Sequence, residues 1–565
     1  MLSSYVHGTA PAPLLGQTIG ACLDQIAARF GDREALISCH QNARFTYAQL
    51  LDEVNRAARG LLALGVQRGD RVGIWSPNVA EWVITQYAAA KVGAILVNLN
   101  PAYRVRELEY ALRQSGVSVL VTARSFRKTD YTTILLAIAP ELLAPRAGPL
   151  ATAKLPRLRQ VIYLGDAAAP GGRSWREFMQ LGEQVPLCAL QAAQDVLQFD
   201  DPTNIQYTSG TTGSPKGATL SHHNILNNGF FVGEVLRYTA KDRICAPVPF
   251  YHCFGCVLAN LAALTHGAAV VIPAESFDPE ATLRAIDAHR CTSIYGVPTM
   301  FIGMLGHPLI ESVRLGSLRT GIMAGSPCPI EVMRQVIDRM HVREVTICYG
   351  MTETSPVSFQ SAVDDPIETR VSTVGRIHPH LECKIVSPAT GEIVPRGTQG
   401  ELCTRGYSVM LGYWENPEAT AEAIDSARWM HSGDLAVMRE DGYVNISGRI
   451  KDMIIRGGEN VYPREIEEFL YTHPKVSEVQ IIGVPDLKYG EEVCAWVRLR
   501  EGQSATEDEI REFCRGQIAT HKIPRYVRFV TEFPTTVTGK IQKYRMREIS
   551  IAELGLSSAD AVRTA

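Results

Sequence analysis

Hydrophobic and polar positions alternate along the chain with two periods, one helical and one strand-like. Thr46 and Gln49 form a capping-box signature, which predicts a helix beginning just after Thr46. Its apolar stripe has helical spacing and consists of Leu50, Val54, Ala57, Leu61 and Leu64. Short apolar runs at 71–75, 94–97 and 117–121 predict strands between helical stretches, and the same alternation continues from 205 to 304. This pattern predicts an α/β protein with two doubly wound lobes.

The pattern changes after residue 370. From about 370 to 447 the β runs are short and broken by Gly and Pro, as at 382–386 and 400–405, which predicts a small β module. After Gly448 a compact α+β pattern begins. The predicted organisation is a large N-terminal domain over 1–447, a hinge over 448–452 and a small mobile α+β domain over 453–565, a normal size for a small domain.

The charge balance and the cysteines narrow the classes of function. Lys and Arg number 56 against 59 Asp and Glu, a formal net charge of −3, so no global field predicts a nucleic acid or an anionic membrane as partner. The 13 cysteines are scattered and odd in number, which is typical of reduced thiols in the cytoplasm. The oligomeric state stays open, with a homodimer as one option.

No targeting or membrane-spanning segment is expected. The chain start lacks a basic flank followed by an apolar run. The most apolar stretch, 257–273, is interrupted by His266 and Gly267 and is too short for a bilayer. We expect it to pass from a buried helix to a strand.

The strongest local signal for chemistry is the run 207–217, which reads Tyr-Thr-Ser-Gly-Thr-Thr-Gly-Ser-Pro-Lys-Gly after a strand-like segment. Glycines let the backbone approach a polyphosphate, while hydroxyls, N–H groups and Lys216 can face its oxygens. The order is not that of a Walker A loop. A Ser/Thr/Gly-rich surface loop is the plain alternative. The candidate phosphate-binding residues are Thr208, Ser209, Gly210, Thr211, Thr212, Gly213, Ser214, Pro215 and Lys216.

Four further motifs follow in order. They are Tyr-Gly-Met-Thr-Glu at 349–353, His-Ser-Gly-Asp-Leu at 431–435, Gly-Arg-Ile-Lys-Asp at 448–452 and Pro-Thr-Thr-Val-Thr-Gly-Lys at 534–540. With the phosphate loop, they make nearly the whole chain resemble the AMP-forming, adenylate-forming superfamily of acyl-CoA synthetases, luciferases and peptide-synthetase adenylation domains. The resemblance implies ATP, Mg²⁺ and coenzyme A (CoA): an acid becomes an acyl-adenylate, and its acyl group then passes to the CoA thiol.

The resemblance also assigns the nucleotide residues of the large domain. Glu353 is expected to be the Mg²⁺ carboxylate with Thr208 as a hydroxyl partner, since Mg²⁺ prefers hard oxygen ligands. Tyr349 is expected to flank the adenine. Other nucleotide contacts are implied at Gly325, Ser326, Gly350, Met351 and Thr352. Read without the family, the 349–352 segment is equally a plain strand end.

Four residues near the end of the chain match the family in position. Asp434 corresponds to the acceptor of the ribose hydroxyls, Arg449 to a ribose and phosphate contact, and Lys451 to the hinge. Lys540 corresponds to the lysine that bridges the acid carboxylate and the α-phosphate during adenylation. Taken alone, a turn-forming Asp and surface cations are ordinary features. The resemblance also places Gly457, Gly458 and Glu459 beside the pantetheine channel for thioester formation.

The segment 249–256 resembles the family's acyl-pocket lining, with His252 near the carboxylate end. Cys253 and Cys256 form a Cys-x-x-Cys without a second pair, so we expect pocket or core lining rather than zinc or redox chemistry. Long-chain members carry a tryptophan gate here, and this chain has Cys256 instead. No acidic residue is present to hold an amino group. The expected substrate is a medium-chain or related fatty acid. The alternatives are an aryl or branched acid as substrate, or an acyl-carrier thiol in place of CoA as acceptor.

Two other hypotheses share these residues. A luciferase-like oxygenase has the same nucleotide site and would emit light with luciferin, ATP and oxygen. A catalytically inactive nucleotide-binding regulator is disfavoured because Lys540, Glu353 and Asp434 are present together.

Overall fold

The computed structural model describes residues 2–144, 148–167, 169–208, 215–325, 328–457, 459–535 and 541–556. Packing divides the chain into two compact units. The larger contains residues 6–383 and 404–430, and the smaller contains 1–5, 384–403 and 431–565.

The larger unit contains an eight-stranded sheet in which five consecutive pairs are parallel and the last two are antiparallel. Its strands, in spatial order, are Arg173–Ser174, Gln160–Tyr163, Val117–Thr122, Arg71–Trp75, Ile95–Asn98, Pro202–Thr208, Lys216–Ser221 and Gly412–Tyr413. The strands read from the apolar runs are confirmed to within a residue or two. Because their parallel core is buried on both faces, they are continuous apolar runs rather than alternating ones.

A nine-stranded sheet completes the β structure of the two lobes, with a six-stranded parallel core and antiparallel edges. Its strands, in spatial order, are Arg376–Ile377, Val357–Gln360, Glu344–Gly350, Thr320–Ala324, Ser293–Gly296, Arg243–Cys245, Ala269–Ile272, Glu34–Ser38 and Ala43–Thr46. A two-stranded ribbon pairs Ser125–Phe126 with Thr129–Asp130. The predicted α/β architecture with two lobes is confirmed.

The helices of the larger unit cover these sheets. They are Ile19–Phe30, Tyr47–Ala63, Ala80–Lys91, Val105–Ser115, Tyr131–Ile138, Trp175–Glu183, Leu187–Asp195, His222–Val235, Cys253–Cys256, Asn260–His266, Pro279–His289, Pro298–Leu305, Ile330–Met340, Ile367–Ser372 and Pro417–Ala423, with 3₁₀ turns at Pro140–Leu143, Pro308–Glu311 and Thr352–Thr354. The predicted capping box is present: the Thr46 hydroxyl accepts from Gln49 N, and the Gln49 side chain accepts from Thr46 N. The stretch 257–273 passes from the helix Asn260–His266 to the strand Ala269–Ile272, as predicted.

Two five-stranded sheets lie wholly or partly in the smaller unit as bounded above. The first has the order Tyr5–His7, Leu381–Val386, Gln399–Gly406, Met430–Met438 and Val444–Arg449. It corresponds to the predicted β module. The second has the order Glu459–Val461, Ile454–Arg456, Gly490–Leu499 and Val476–Asp486, with Tyr526–Phe529 also paired to Gly490–Leu499.

Three helices pack with the second sheet of the smaller unit. They are Pro463–Leu470, Glu507–Cys514 and Lys543–Glu553, with 3₁₀ turns at Ile450–Asp452 and Thr520–Lys522. Arg464 Nη1 donates to Ile446 O at 2.6 Å, so the α+β part and the first sheet are in contact. The boundaries 1–447, 448–452 and 453–565 stay a prediction of domain organisation, since the packing division groups 384–403 and 431–447 with the C-terminal residues.

Most cysteines are buried side chains. All 13 cysteines lie outside disulfides, and ten of them are buried. Within the described ranges, no helix has the length and apolar character needed to cross a bilayer.

Candidate active site

The ends of the phosphate loop are fixed by a β-hairpin in the larger unit. Thr208 ends the strand Pro202–Thr208 and pairs with Lys216, the first residue of the next strand. Residues 204–206 of the first strand run parallel to Ile95–Asn98, so Thr208 follows the carboxyl end of a parallel pair. Ligands of open α/β sheets bind at that edge. Ser209, Gly210, Thr211, Thr212, Gly213 and Ser214 lie outside the described residues.

The Tyr-Gly-Met-Thr-Glu segment ends a strand of the nine-stranded sheet. Tyr349 and Gly350 are the last residues of Glu344–Gly350, and a 3₁₀ turn follows at Thr352–Thr354. A Cβ on Gly350 would lie 1.8 Å from Pro356 O, so only glycine fits at this turn. The turn carries Glu353 into the interior, where it is 6% exposed.

Glu353 is held by a tyrosine that sequence reasoning missed. Tyr413 Oη donates to Glu353 Oε1 at 2.8 Å. Burial and the neighbouring Glu353 carboxylate raise the pKa of Tyr413, so its hydroxyl keeps its proton and remains a donor. Lys216 Nζ lies 5.1 Å from the centroid of the same ring. Tyr413 therefore connects the phosphate-loop lysine to the buried carboxylate.

Tyr413→Phe tests this connection. The substitution keeps the ring under Lys216 but removes the donor to a buried carboxylate, so we expect a loss of about 1–3 kcal/mol in the free energy of unfolding, measured with denaturant. Tyr544→Phe, at a 48% exposed tyrosine, is the control and should change little. Equal stability of the two variants would contradict the role of the Tyr413 hydroxyl.

The acyl-pocket segment also reaches the 349–353 motif. His252 Nδ1 accepts from Phe254 N at 3.1 Å and caps the short helix Cys253–Cys256. A neutral imidazole that accepts at Nδ1 carries its hydrogen on Nε2. Cys253 Sγ lies 3.5 Å from His252 Nδ1 and 3.9 Å from Thr352 Oγ1. The Cys253 thiol therefore contacts both His252 and the turn that contains Thr352 and Glu353.

Neither cysteine of the Cys-x-x-Cys pair has the environment of a nucleophile. Burial raises the pKa of Cys253 to about 12, with the Glu353 charge acting in the same direction. Burial likewise raises the pKa of Cys256, whose Sγ accepts from Asn98 Nδ2 and Gln206 Nε2, both at 3.5 Å. Both thiols stay neutral near pH 7.

Gly325 and Tyr349 lie at the ends of neighbouring strands of the nine-stranded sheet. Gly325 directly follows Thr320–Ala324, which pairs in parallel with Glu344–Gly350 in a register that joins Ala324 to Cys348. Its φ of +91° is a conformation that favours glycine. The ring of Tyr349 meets Phe359 edge-on at 6.1 Å. Met351 is partly buried against the core, and Ser326 lies outside the described residues.

In the smaller unit, two predicted nucleotide residues form an ion pair. Asp434 and Arg449 are directly opposite on the strands Met430–Met438 and Val444–Arg449. Arg449 Nε donates to Asp434 Oδ1 at 3.1 Å. The Asp434 side chain is 13% exposed and that of Arg449 44%. The sequence indicated both residues but not that they pair.

Lys451, Gly457 and Glu459, the other predicted residues of the smaller unit that the structure describes, are exposed. Lys451 lies in the 3₁₀ turn Ile450–Asp452. Gly457 has a φ of +61°, and its N donates to Tyr489 O at 2.8 Å. Glu459 begins the strand Glu459–Val461. Gly458 and Lys540 lie outside the described residues, so their roles stay predictions.

Residues 23–414 match the family described as AMP-binding enzyme, and residues 465–540 match the AMP-binding enzyme C-terminal domain. This chain belongs to the AMP-binding enzyme family. The predicted membership of the adenylate-forming superfamily is confirmed, and with it an ATP-dependent, AMP-forming ligase.

Three similar proteins illustrate the family. The acyl-CoA synthetase YngI of Bacillus subtilis is 49% identical over 548 residues, 97% of this chain and 100% of its own length. The mitochondrial medium-chain acyl-CoA ligase ACSF2 of Danio rerio is 48% identical, over 98% of this chain and 92% of its own. The anthranilate CoA ligase AuaEII in complex with anthranoyl-AMP has a TM-score of 0.82 at 27% identity, covering 97% of this chain and 99% of its own.

The residues that sequence reasoning missed lie far from the motifs they contact. Tyr413 is 60 residues from Glu353, and its only signal is an aromatic residue after glycine in Leu411-Gly412-Tyr413. Asn98, 158 residues from Cys256, ends an apolar strand as a 2% exposed polar residue. A polar residue ending a buried strand was the available signal.

Proposed function

We propose that this enzyme converts a carboxylic acid, ATP and CoA into acyl-CoA, AMP and pyrophosphate through an acyl-adenylate. The observation that carries the proposal is the fixed position of Glu353, a buried carboxylate bonded to Tyr413. The ring of Tyr413 also carries Lys216 of the phosphate loop. Three segments distant in sequence thus meet where a carboxylate and a cation are needed around a polyphosphate.

The donor set suits Mg²⁺. Glu353 offers a carboxylate oxygen from a buried position, and Thr208 offers a hydroxyl at the end of the hairpin, both hard ligands. We propose that these two residues would hold the ion, which when bound neutralises phosphate charge. Tyr413 holds the Glu353 carboxylate in one orientation by donating to it. Lys216 adds a point charge for the phosphates.

For the acid, we assign His252 the role of orienting the carboxylate. Because Nδ1 is used as an acceptor from Phe254 N, the ring has its hydrogen on Nε2, the correct polarity for a carboxylate oxygen. The neutral thiols of Cys253 and Cys256 argue against a covalent acyl-enzyme at this segment, since the thiolate is the nucleophilic form. The acyl group then transfers from the adenylate to the thiol of CoA.

The other assignments follow the family resemblance and are proposals. Asp434 accepts from the ribose hydroxyls, Arg449 contacts ribose and phosphate, and Lys451 is the hinge of a mobile domain. Lys540 bridges the carboxylate and the α-phosphate. The segment Gly457, Gly458 and Glu459 borders the pantetheine channel. A cytoplasmic location is supported by the 13 free thiols.

We propose a medium-chain fatty acid as substrate. The Danio rerio relative carries that substrate class in its name. At position 256 a buried cysteine bonded to Asn98 and Gln206 stands where long-chain members carry a tryptophan gate. A small side chain fixed by polar neighbours gives a pocket wall without a movable aromatic gate.

A panel of acids tests activity and substrate together. Butanoate, octanoate, dodecanoate, hexadecanoate, isovalerate and benzoate are each incubated with enzyme, Mg²⁺, ATP and CoA, and AMP is measured. We expect kcat/KM to peak at octanoate or dodecanoate. A peak at benzoate or isovalerate would indicate an aryl or branched acid as the substrate. Activity only with a phosphopantetheinyl carrier would show that the carrier thiol, and not CoA, is the acceptor. No AMP with any acid would refute the proposed function.

A further inference from the structure

Three groups with metal-ligating atoms converge in the first sheet of the smaller unit. Glu401 and Cys403 are two residues apart on the strand Gln399–Gly406, so their side chains leave the same face. His431 lies on the neighbouring strand Met430–Met438. The carboxylate oxygen, the thiol sulfur and the imidazole nitrogen all lie within 4.8 Å of one another.

The distances in this cluster are close to the spacing of ligands around one ion. Cys403 Sγ lies 3.5 Å from His431 Nδ1, and Glu401 Oε2 lies 2.9 Å from the same nitrogen. Around a tetrahedral Zn²⁺ with ordinary bond lengths, a sulfur and a nitrogen ligand are about 3.6 Å apart, and a nitrogen and an oxygen ligand about 3.4 Å apart. To admit the ion, the carboxylate oxygen and the imidazole nitrogen would have to move apart by only about half an ångström.

The same three residues also make hydrogen bonds. His431 Nδ1 lies 2.9 Å from Glu401 Oε2, and the Cys403 thiol can donate to Glu401 O at 4.0 Å. A cation bound at the centre would replace these contacts with direct bonds to the carboxylate oxygen, the sulfur and the imidazole nitrogen.

The charges and the exposure also suit a divalent ion. One thiolate, one carboxylate and one neutral imidazole balance a charge of two. Cys403 is fully buried, and the side chains of Glu401 and His431 are 13% and 31% exposed, which leaves an entry path on the histidine side. Sulfur and imidazole ligands select a borderline-soft ion over Mg²⁺.

We propose that Glu401, Cys403 and His431 form a binding site for Zn²⁺ or a similar soft divalent cation, separate from the Mg²⁺ of ATP. Glu401 Oε1 also accepts from Gly433 N at 3.1 Å. The site is therefore joined to the turn that precedes Asp434. Binding of the ion displaces the thiol proton of Cys403 and any proton on His431 Nδ1, so affinity rises with pH.

Cobalt titration of the full-length protein tests the site without relying on enzymatic activity. Chelator-treated protein is titrated with Co²⁺, and we expect one equivalent to bind with a thiolate-to-cobalt charge-transfer absorption that Zn²⁺ removes. Cys403→Ser should abolish the absorption. His431→Gln should weaken binding at least about tenfold, since it removes a direct ligand.

Cys494→Ser is the matched control, because Cys494 is an equally buried thiol of the same unit. It should leave the absorption intact. Each of three results would overturn the proposal: no absorption band in the unsubstituted protein, a band that persists in Cys403→Ser, or a band that is lost in Cys494→Ser. If Cys403→Ser does not fold, the more exposed His431→Gln decides: unchanged cobalt affinity refutes the site.

Discussion

Glu353→Gln is expected to lower acid-dependent AMP formation by about 100- to 1000-fold, since it removes the negative charge that we assign to the metal at the phosphates. The amide oxygen can still accept from Tyr413 Oη, so the buried hydrogen bond persists and thermal stability changes little. The measurement is kcat/KM for ATP at several Mg²⁺ concentrations, together with the unfolding midpoint. We expect the deficit to be smaller at high Mg²⁺.

Glu368→Gln is the control for this experiment. Glu368 lies in the same unit, its side chain is 69% exposed, and its nearest cation, Arg334, is 3.9 Å away. It should retain full activity. If Glu353→Gln also retains most of its activity, the carboxylate holds the turn Thr352–Thr354 in place and does not bind the metal.

Lys540→Ala is expected to lower pyrophosphate release from ATP and acid by about 100- to 1000-fold while thioester formation from a supplied acyl-adenylate and CoA stays near normal. The reason is that an ammonium offsets charge only while the carboxylate attacks the α-phosphate. Separate assays of the two half-reactions measure this. Loss of both to the same extent would refute a role confined to adenylation.

Lys543→Ala provides a nearby comparison. Lys543 Nζ pairs with Glu467 Oε1 at 2.7 Å, so its removal costs a partly exposed ion pair and no proposed catalytic contact. Both half-reactions should continue at close to the normal rate. A deficit as large as that of Lys540→Ala would mean that any cation lost from this part of the chain impairs the enzyme.

Local sequence patterns predicted the fold well wherever one hydrophobic periodicity or one helix cap decides the backbone conformation. The capping box at Thr46 and the apolar run 71–75 became the helix Tyr47–Ala63 and the strand Arg71–Trp75. The stretch 257–273 became a helix and a strand around Gly267, whose φ of +66° ends the helix. The strand Val476–Asp486 extends beyond its apolar residues, because pairing with the strand Gly490–Leu499 sets its length.

The motifs likewise identified the residues that carry the chemistry, but not the residues that hold them in place. The Tyr-Gly-Met-Thr-Glu run indicated Glu353, while the hydroxyl that holds it comes from Tyr413. Asp434 and Arg449 were predicted as separate contacts and form one ion pair. Such pairings depend on strand register, and a shift of one residue would place different side chains opposite each other.

By itself, the sequence determined the alternation of helices and strands, the family and the residue types that carry charge to a polyphosphate, because periodicity, turn chemistry and short motifs are local properties. Only the tertiary structure decided which groups share a neighbourhood: Lys216 with Tyr413, Cys253 with Thr352, and Glu401 with Cys403 and His431. Those neighbours arise where segments distant in sequence are packed side by side, and the packing of the whole fold selects that arrangement.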